Sequence, residues 1–285
     1  MTRRRFPVGK TLLYVFMSLW ALTTIYPFIW VILNSFKPRG LIRSDTFSLP
    51  IGDKFTLENY VTAFKRVDIG TAYVNSIVIS GAVTVVVMVL AGLAAYAMVL
   101  YSFRLRGFLH SMIIASMMFP VFSTIIPVFR MESSWGIVNT GSIWLTRLSV
   151  VLPQIAGNLS FAIIVLMGFI RSLPVDLEEA AYLEGYNVYQ IFFRIIMPLA
   201  KPSFATVGIF TFLWSYNDLF LQMFFLRSKK FFTITRLLNE ISSQAGTNYG
   251  LMVAAVVMVV IPVLVVYIFL QNYIIKGMTA GAVKG

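Results

Sequence analysis

The strongest constraint in this sequence is the distribution of its apolar residues, which collect in runs instead of being scattered at the period of a surface helix or strand. Each run has about 20 residues, the length that spans a hydrocarbon core ~30 Å thick. Of the 285 residues, 59% are hydrophobic and 12% are charged, whereas an average soluble domain has roughly 25% charged residues. So few charges cannot coat a soluble surface, and the bilayer is the expected solvent for most of the chain.

The apolar runs predict six transmembrane helices and therefore an all-α membrane protein. The predicted spans are residues 11–33, 73–100, 109–130, 145–170, 204–226 and 250–274. Prolines interrupt the third and fourth spans, and such prolines are tolerated where neighbouring helices satisfy the freed carbonyl groups. The remaining segments are expected to include a tail at 1–10, a long polar loop at 171–203 and a second tail at 275–285.

The number of spans places both termini on the same side of the membrane. Arg3, Arg4, Arg5 and Lys10 precede the first span without any acid among them, which favours a cytoplasmic N-terminus. Over the whole chain, however, lysine and arginine divide almost evenly between the two predicted sides. Both termini are expected in the cytoplasm, on the strength of the N-terminal tail more than of the complete charge count.

The composition also excludes several functional classes. The chain has no cysteine and one histidine, His110, so it lacks the residues for a thiolate metal site, a cysteine nucleophile or a metal cluster. A membrane enzyme would need such groups. The formal charge of +12 comes from short basic groups between apolar runs and forms no stripe typical of nucleic-acid binding. A stand-alone channel or secondary carrier remains the alternative to a transporter subunit, although it would need ionisable residues inside several spans.

The loop 171–203 carries helix signals at both of its ends. Asp176 is a candidate N-cap with Glu179 three residues later, the spacing of a capping box, and Glu178 also lies in the first turn, where the helix dipole favours acids. Gly185 is the expected end of this helix, because glycine enters the left-handed conformation without a Cβ clash. A short, rigid helix between two spans can transmit the movement of a partner.

A second short helix is predicted to start at Asn187, with Gln190 three residues later, and to close before Pro198 and Pro202. The small Ala180 and Ala181 of the first helix would let it sit close in a groove. On spacing alone, a second interpretation stays open, in which the segment is an amphipathic helix packed under the transmembrane bundle.

The spacing within this loop resembles the EAA loop of ABC-importer permeases. The matching pattern is Glu179-Ala180-Ala181, three residues, Gly185, nine residues, Ile195, two residues and Pro198. One position departs from the family pattern, since Met197 replaces the usual leucine before the proline. Further stretches resemble the carbohydrate-importer branch and its smaller maltose-type permease subunit: NSFK at 34–37, FTLENY at 55–60, SLPVDLEEAA at 172–181, MPLAKPSFATVGIFTFLWSYND at 197–218 and QNYIIKGMTAGAVKG at 271–285.

The resemblance implies a six-helix permease of the type I ABC-importer kind in a bacterial-type inner membrane, with a cytoplasmic coupling helix pair. Such a chain is not an enzyme. It pairs with a second related permease and with two ATPase subunits, which bind the ATP and Mg²⁺, so this chain itself needs no cofactor. An external solute-binding protein delivers a sugar. The residues implied in coupling to the ATPase are Asp176, Glu178, Glu179, Ala180, Ala181, Gly185, Ile195 and Pro198.

The fifth predicted span contains the candidate substrate path or gate. Asp218 is the only acid well inside a predicted span, and a carboxylate at such a depth is costly unless it faces a cavity or a partner. In one interpretation, Asn217 and Asp218 bind sugar hydroxyls while Trp214 or Tyr216 offers a ring face. In the other, Asp218 caps or bridges helices near the outer end of the span. Both interpretations remain open from the sequence.

Overall fold

The computed structural model describes residues 8–66, 68–245 and 248–282, and in these ranges the chain forms helices, turns and loops with no strand. The α-helices are α1 (Val8–Ser35), α2 (Arg39–Ser44), α3 (Glu58–Arg66), α4 (Ile69–Leu100), α5 (Arg106–Ser116), α6 (Val121–Ser134), α7 (Ile143–Ile170), α8 (Asp176–Leu183), α9 (Val188–Ile191), α10 (Met197–Leu199), α11 (Lys201–Asn217), α12 (Leu219–Phe225), α13 (Ile234–Ala245) and α14 (Tyr249–Ala282). A π-helical turn, Phe192–Ile196, joins α9 to α10. The all-α fold class is confirmed.

Within the described part of the chain, α1, α4, α7 and α14 are each long and apolar enough to cross a membrane. Two bent pairs would bring the number of spans to six if each pair crosses once. One pair is α5 with α6, and the other is the run from α9 to α10 with α11. The six span boundaries given above stay predictions.

The third predicted span, 109–130, is divided between two helices. α5 ends at Ser116 and α6 begins at Val121, and their axes are bent by 103°. Pro120 lies in the extended conformation just before α6. Because proline disfavours helical geometry in the residue that precedes it and removes a backbone donor, the chain leaves the helix here.

The fifth predicted span, 204–226, is also divided between two helices. α11 starts earlier, at Lys201, and ends at Asn217, and Asp218 then separates it from α12. No glycine or proline marks this break in the sequence. The Asp218 side chain supplies the cause, because it caps the first turn of α12.

The two predicted tails differ in how much of them is described. Residues 1–7, including Arg3, Arg4 and Arg5, lie outside the described residues, and α1 begins at Val8. At the other end α14 continues to Ala282, so most of the segment 275–285, which was expected to be a tail beyond the last span, belongs to the same helix as that span. Residues 283–285 lie outside the described residues.

The chain divides into two compact units, the first made of residues up to Asp68 together with Leu238–Ile261. In this unit the Asn59 side chain donates to the carbonyl oxygens of Ser35 at 2.9 Å and Lys37 at 2.8 Å. These bonds hold the NSFK stretch, residues 34–37, in a largely buried turn at the end of α1. The apolar side chains of α1 itself are exposed in this structure, which leaves them to lipid or to another subunit.

The second unit comprises Ile69–Leu237 and the chain from Pro262 onward. Its core is formed by α4, α7 and α11. A stripe of fully buried residues runs along α4 at a spacing of four: Ile79, Val83, Val87, Ala91 and Ala95. Rows of this spacing form the ridges by which helices interdigitate, and the small residues at the C-terminal end of α4 allow a close approach.

Candidate functional site

The start of α8 differs from the predicted capping box. α8 begins at Asp176, and its N-cap is Val175, which has helical backbone angles and makes no side-chain cap. Because helical geometry starts one residue earlier than expected, Asp176 occupies the first helical position and cannot cap the helix. The predicted Asp176–Glu179 box is therefore wrong. The acids Asp176, Glu178 and Glu179 remain in the first turn, where the helix dipole favours them.

The end of α8 confirms the role predicted for Gly185, whose φ is +83°. The Gly185 N–H donates to the carbonyl oxygen of Tyr182 at 3.0 Å, and the Tyr186 N–H donates to that of Ala181 at 3.1 Å. These two bonds form a Schellman motif, which satisfies carbonyl groups at the end of a helix. The turn out of α8 is thus fixed by backbone hydrogen bonds.

The start of α9 confirms the second predicted capping box. The Asn187 side chain accepts from the Gln190 N–H at 2.9 Å, and the Gln190 side chain accepts from the Asn187 N–H at 2.9 Å. Only one residue, Tyr186, lies between this cap and Gly185. The two helices of the segment therefore meet at a short joint with little freedom.

The predicted coupling residues divide between an exposed and a buried face of α8. Glu179 and Ala180 are exposed, as is Leu183, whose side chain is 90% exposed. Glu178 and Ala181 are buried. Asp176, Gly185 and Pro198 are exposed, and Ile195 is half-buried. The segment thus presents a continuous outer surface on α8 while its other face packs on the protein.

The second helix of the segment packs on the core through Phe192, at the start of the π-helical turn. The rings of Phe192 and Phe204 close over Gly92 of α4. A Cβ atom at residue 92 would lie 2.8 Å from a carbon of each ring. This close approach fixes the segment against α4 and α11.

Asp218 caps one helix and bridges to another. One carboxylate oxygen accepts from the Leu221 N–H at 3.2 Å, and the other accepts from the Gln154 side-chain amide of α7 at 3.0 Å. The structural interpretation of Asp218 as a cap and a bridge therefore describes its contacts in this structure. Whether Asp218 also contacts substrate stays a prediction.

The four predicted path residues do not converge on one place. Trp214 and Asp218 line a cavity of about 360 Å³, whereas Tyr216 is 3% exposed and is not part of its lining. Asn217 is exposed, and its amide donates back to the carbonyl oxygen of Leu213 at 2.8 Å. A ring face at Tyr216 is thus unavailable to a ligand in this conformation.

Sequence reasoning missed the polar residues that α7 adds to this cavity. Gln154 and Asn158 both line the cavity, together with Pro153 and Gly157 of the same helix. The signal was present, because two amide side chains four residues apart share one face of a helix in an apolar span. Gln154 also accepts from the Ser215 hydroxyl at 2.6 Å, which fixes its orientation.

A chain of hydrogen bonds leads from this cavity to the segment before α13. Gln222 of α12 donates to the carbonyl oxygen of Ser215 at 3.0 Å, and the Thr233 hydroxyl donates to the Gln222 side chain. On α4, Asn75 donates to the carbonyl oxygen of Phe232 at 3.0 Å. The polar groups around Asp218 are thus connected to residues 230–235, between α12 and the first turn of α13.

Comparison with known proteins gives consistent results. Residues 88–280 match the family described as "Binding-protein-dependent transport system inner membrane component". The diacetylchitobiose uptake system permease protein NgcG of Streptomyces coelicolor is 33% identical over 95% of this chain and 88% of its own length. The trehalose transport system permease protein SugB of Mycobacterium tuberculosis is 32% identical over 92% of this chain and 93% of its own length.

A solved structure has the same fold. It is a chain in the crystal structure of a bacterial ABC transporter involved in the import of the acidic polysaccharide alginate, with a TM-score of 0.81 and 24% identity. The match covers 96% of this chain and 99% of that chain. Together with the family match, it agrees with the prediction of a transport subunit rather than an enzyme. The chain belongs to the family of binding-protein-dependent transport system inner membrane components.

Proposed function

We propose that this chain is the permease subunit of an ABC importer that brings a sugar of oligosaccharide type into the cell. The observation that carries the proposal is the outer face of α8, a short helix with its C-terminal end locked by a Schellman motif and a capping box following at once. Such a helix can dock in a cleft of an ATPase subunit and move as a rigid body. The family membership and the sugars named for the two relatives support it.

The proposal assigns each partner to a part of the chain. The ATPase subunits bind the segment 171–203 in the cytoplasm, and both termini lie on that side. A second permease completes the pathway, and the external binding protein contacts the opposite face. ATP and Mg²⁺ are bound by the ATPase subunits, so this chain converts their closure into a rearrangement of its helices, a rigid-body switch.

Glu179→Lys tests the docking of α8. Glu179 is an exposed acid in the first turn, so a lysine there opposes the helix dipole and removes a partner for a basic residue of the ATPase. We expect the variant to stay in the membrane with its partner permease but to lose the ATPase on co-purification, together with sugar-stimulated ATP hydrolysis.

The matched control is Glu58→Lys, which makes the same charge change at an exposed acid in the first turn of α3. It should retain the ATPase. If Glu179→Lys keeps a full complement of ATPase and normal stimulation, α8 is not the docking element.

The cavity between α7 and α11 is the proposed contact with sugar. It combines the carboxylate of Asp218, the amides of Gln154 and Asn158, and the half-exposed ring of Trp214. Carboxylate and amide groups bind hydroxyls, and an aromatic ring packs on the apolar face of a sugar. This mixture of groups is typical of a small-molecule site with a few polar anchors in an apolar wall.

Asp218→Ala and Asp218→Asn together separate the two roles of Asp218. The alanine variant removes a helix cap, typically worth ~1 kcal/mol, and the acceptor for Gln154. We expect it to reduce uptake more than it reduces the amount of assembled transporter. Asparagine keeps a capping oxygen but also removes the acceptor for Gln154. Loss of uptake in Asp218→Asn with a normal amount of assembled transporter is the result expected if the carboxylate contacts the sugar. Normal uptake of several sugars by both variants removes Asp218 from the path.

A further inference from the structure

The buried face of α8 carries a carboxylate that the docking role does not explain. Glu178 is 8% exposed and lies in the first turn of α8, next to the exposed Glu179. One of its oxygens accepts from the Tyr96 hydroxyl at 2.7 Å and from the Tyr101 hydroxyl at 3.2 Å. In the described residues, Glu178 forms no ion pair with a lysine or arginine. Glu178 is therefore held by hydrogen bonds from two tyrosine hydroxyls. These bonds are directional, so they restrict the position of the carboxylate more closely than a charge contact without hydrogen bonds would.

These phenols belong to the C-terminal end of α4 and the residue that follows it. Tyr96 is 2% exposed, and its ring lies 5.6 Å from that of Phe192 and 5.9 Å from that of Tyr101. Tyr101 also bonds the Tyr182 hydroxyl, one turn beyond Glu178 in α8, at 2.6 Å. The end of α4 thus contacts α8 through hydrogen bonds and the π-helical turn after α9 through the tilted ring pair of Tyr96 and Phe192.

The Tyr101 hydroxyl remains a hydrogen-bond donor over the physiological pH range, because burial raises the pKa of Tyr101 to about 12. A buried carboxylate needs such donors, because burial without hydrogen bonds is costly. The cluster of Tyr96, Tyr101, Glu178 and Tyr182 is therefore a satisfied, directional joint.

We propose that Glu178 is the positioning residue that transmits movement of α8 to α4, through its hydrogen bonds to Tyr96 and Tyr101. The proposal rests on the proposed function, since it requires α8 to be moved by an ATPase. It separates two tasks on adjacent residues, with Glu179 on the outer face for docking and Glu178 on the inner face for transmission. α4 packs on α7 and α11, which line the cavity at Asp218, so a movement of α4 reaches that cavity by direct packing.

The experiment compares Tyr96→Phe, Glu178→Leu and Glu178→Gln in the complete transporter in proteoliposomes. The readouts are the amount of ATPase that co-purifies, the basal rate of ATP hydrolysis, and its stimulation by the binding protein with a panel of sugars that includes diacetylchitobiose and trehalose. Tyr96→Phe should keep the ATPase and the basal rate but lose stimulation by about tenfold, the factor expected from one charge-assisted hydrogen bond. Glu178→Leu removes the hydrogen bonds to both Tyr96 and Tyr101, so it should keep the ATPase and lose at least as much stimulation. Glu178→Gln retains an acceptor and should fall between these variants and the wild type.

Tyr182→Phe is the matched control, because it removes a hydroxyl of the same cluster that does not contact Glu178. It should keep stimulation within about twofold of the wild type, since only a neutral hydrogen bond is lost. Normal stimulation in both Tyr96→Phe and Glu178→Leu overturns the proposal. Loss of the ATPase in these variants also overturns it, because Glu178 would then serve docking or folding. If the wild-type chain itself retains no ATPase, the proposed function fails as well.

Discussion

Gly92→Ala should destabilise the second unit, although alanine is the better helix former. The added Cβ would meet the Phe192 and Phe204 rings at 2.8 Å, and these side chains are 0% and 5% exposed, so neither ring can swing into solvent. Overpacking of a buried contact costs about 1–3 kcal/mol, which exceeds the helix-propensity gain of about 1 kcal/mol. The measurement is the thermal unfolding midpoint of the purified protein in detergent, followed by fluorescence-detected gel filtration.

Gly81→Ala provides the control for this prediction, since it makes the same change in the same helix at a position with open space around it. It should leave the midpoint unchanged or raise it. Opposite signs for the two variants would isolate the ring contact as the cause. Equal midpoints would mean that Phe192 and Phe204 move aside freely, and that the second helix of the segment is not held tightly on α4.

Gly185→Val should uncouple the ATPase while the protein still reaches the membrane. The left-handed backbone at φ +83° costs a residue with a Cβ about 1–2 kcal/mol, and valine, being β-branched, enters it with most difficulty. The strain turns α9 out of register with α8, so that the ATPase meets an altered surface. Co-purification of the ATPase and sugar-stimulated ATP hydrolysis should both be lost.

A short series at residue 185 separates backbone strain from bulk. No atom lies within 4 Å of a Cβ built at this position, so size within the chain is not the obstacle. Asparagine tolerates the left-handed conformation better than alanine does, although it is larger. Strain therefore ranks the variants Asn, Ala, Val in order of increasing damage. A ranking by volume, with asparagine worse than alanine, would indicate instead a clash with the docked ATPase.

The transmembrane helices could be predicted from the lengths of the apolar runs. In a bilayer, a spanning segment must satisfy its backbone N–H and C=O groups internally, and an α-helix does this within one segment. The joint between α8 and α9 was also predictable, since Gly185 and the Asn187–Gln190 pair act locally and do not depend on distant residues. The start of α8 could not be predicted, because nothing in the Val175 side chain indicates that its backbone is helical.

The features that sequence reasoning missed are those created by tertiary contacts. The helix break at Asp218 carries no glycine or proline, and the sequence left open whether Asp218 caps a helix or binds a sugar. Likewise, the two adjacent acids at 178 and 179 look equivalent in the sequence. The positions of Tyr96 and Tyr101 decide which one is buried, and these residues are about 80 positions away.

The stretch from Asn187 to Ala200 contains the π-helical turn Phe192–Ile196. We expect this stretch to tolerate substitutions of its exposed side chains better than changes in its length. The run from α9 to α10 is held at one end by the capping box of Asn187 and at the other by the buried Ala200. Each residue inserted or deleted between them would rotate the chain beyond it by about 100°. The nine residues between Gly185 and Ile195 are then a mechanical requirement. The exposed side chains of this stretch can vary, whereas its buried side chains, its capping box and its length cannot.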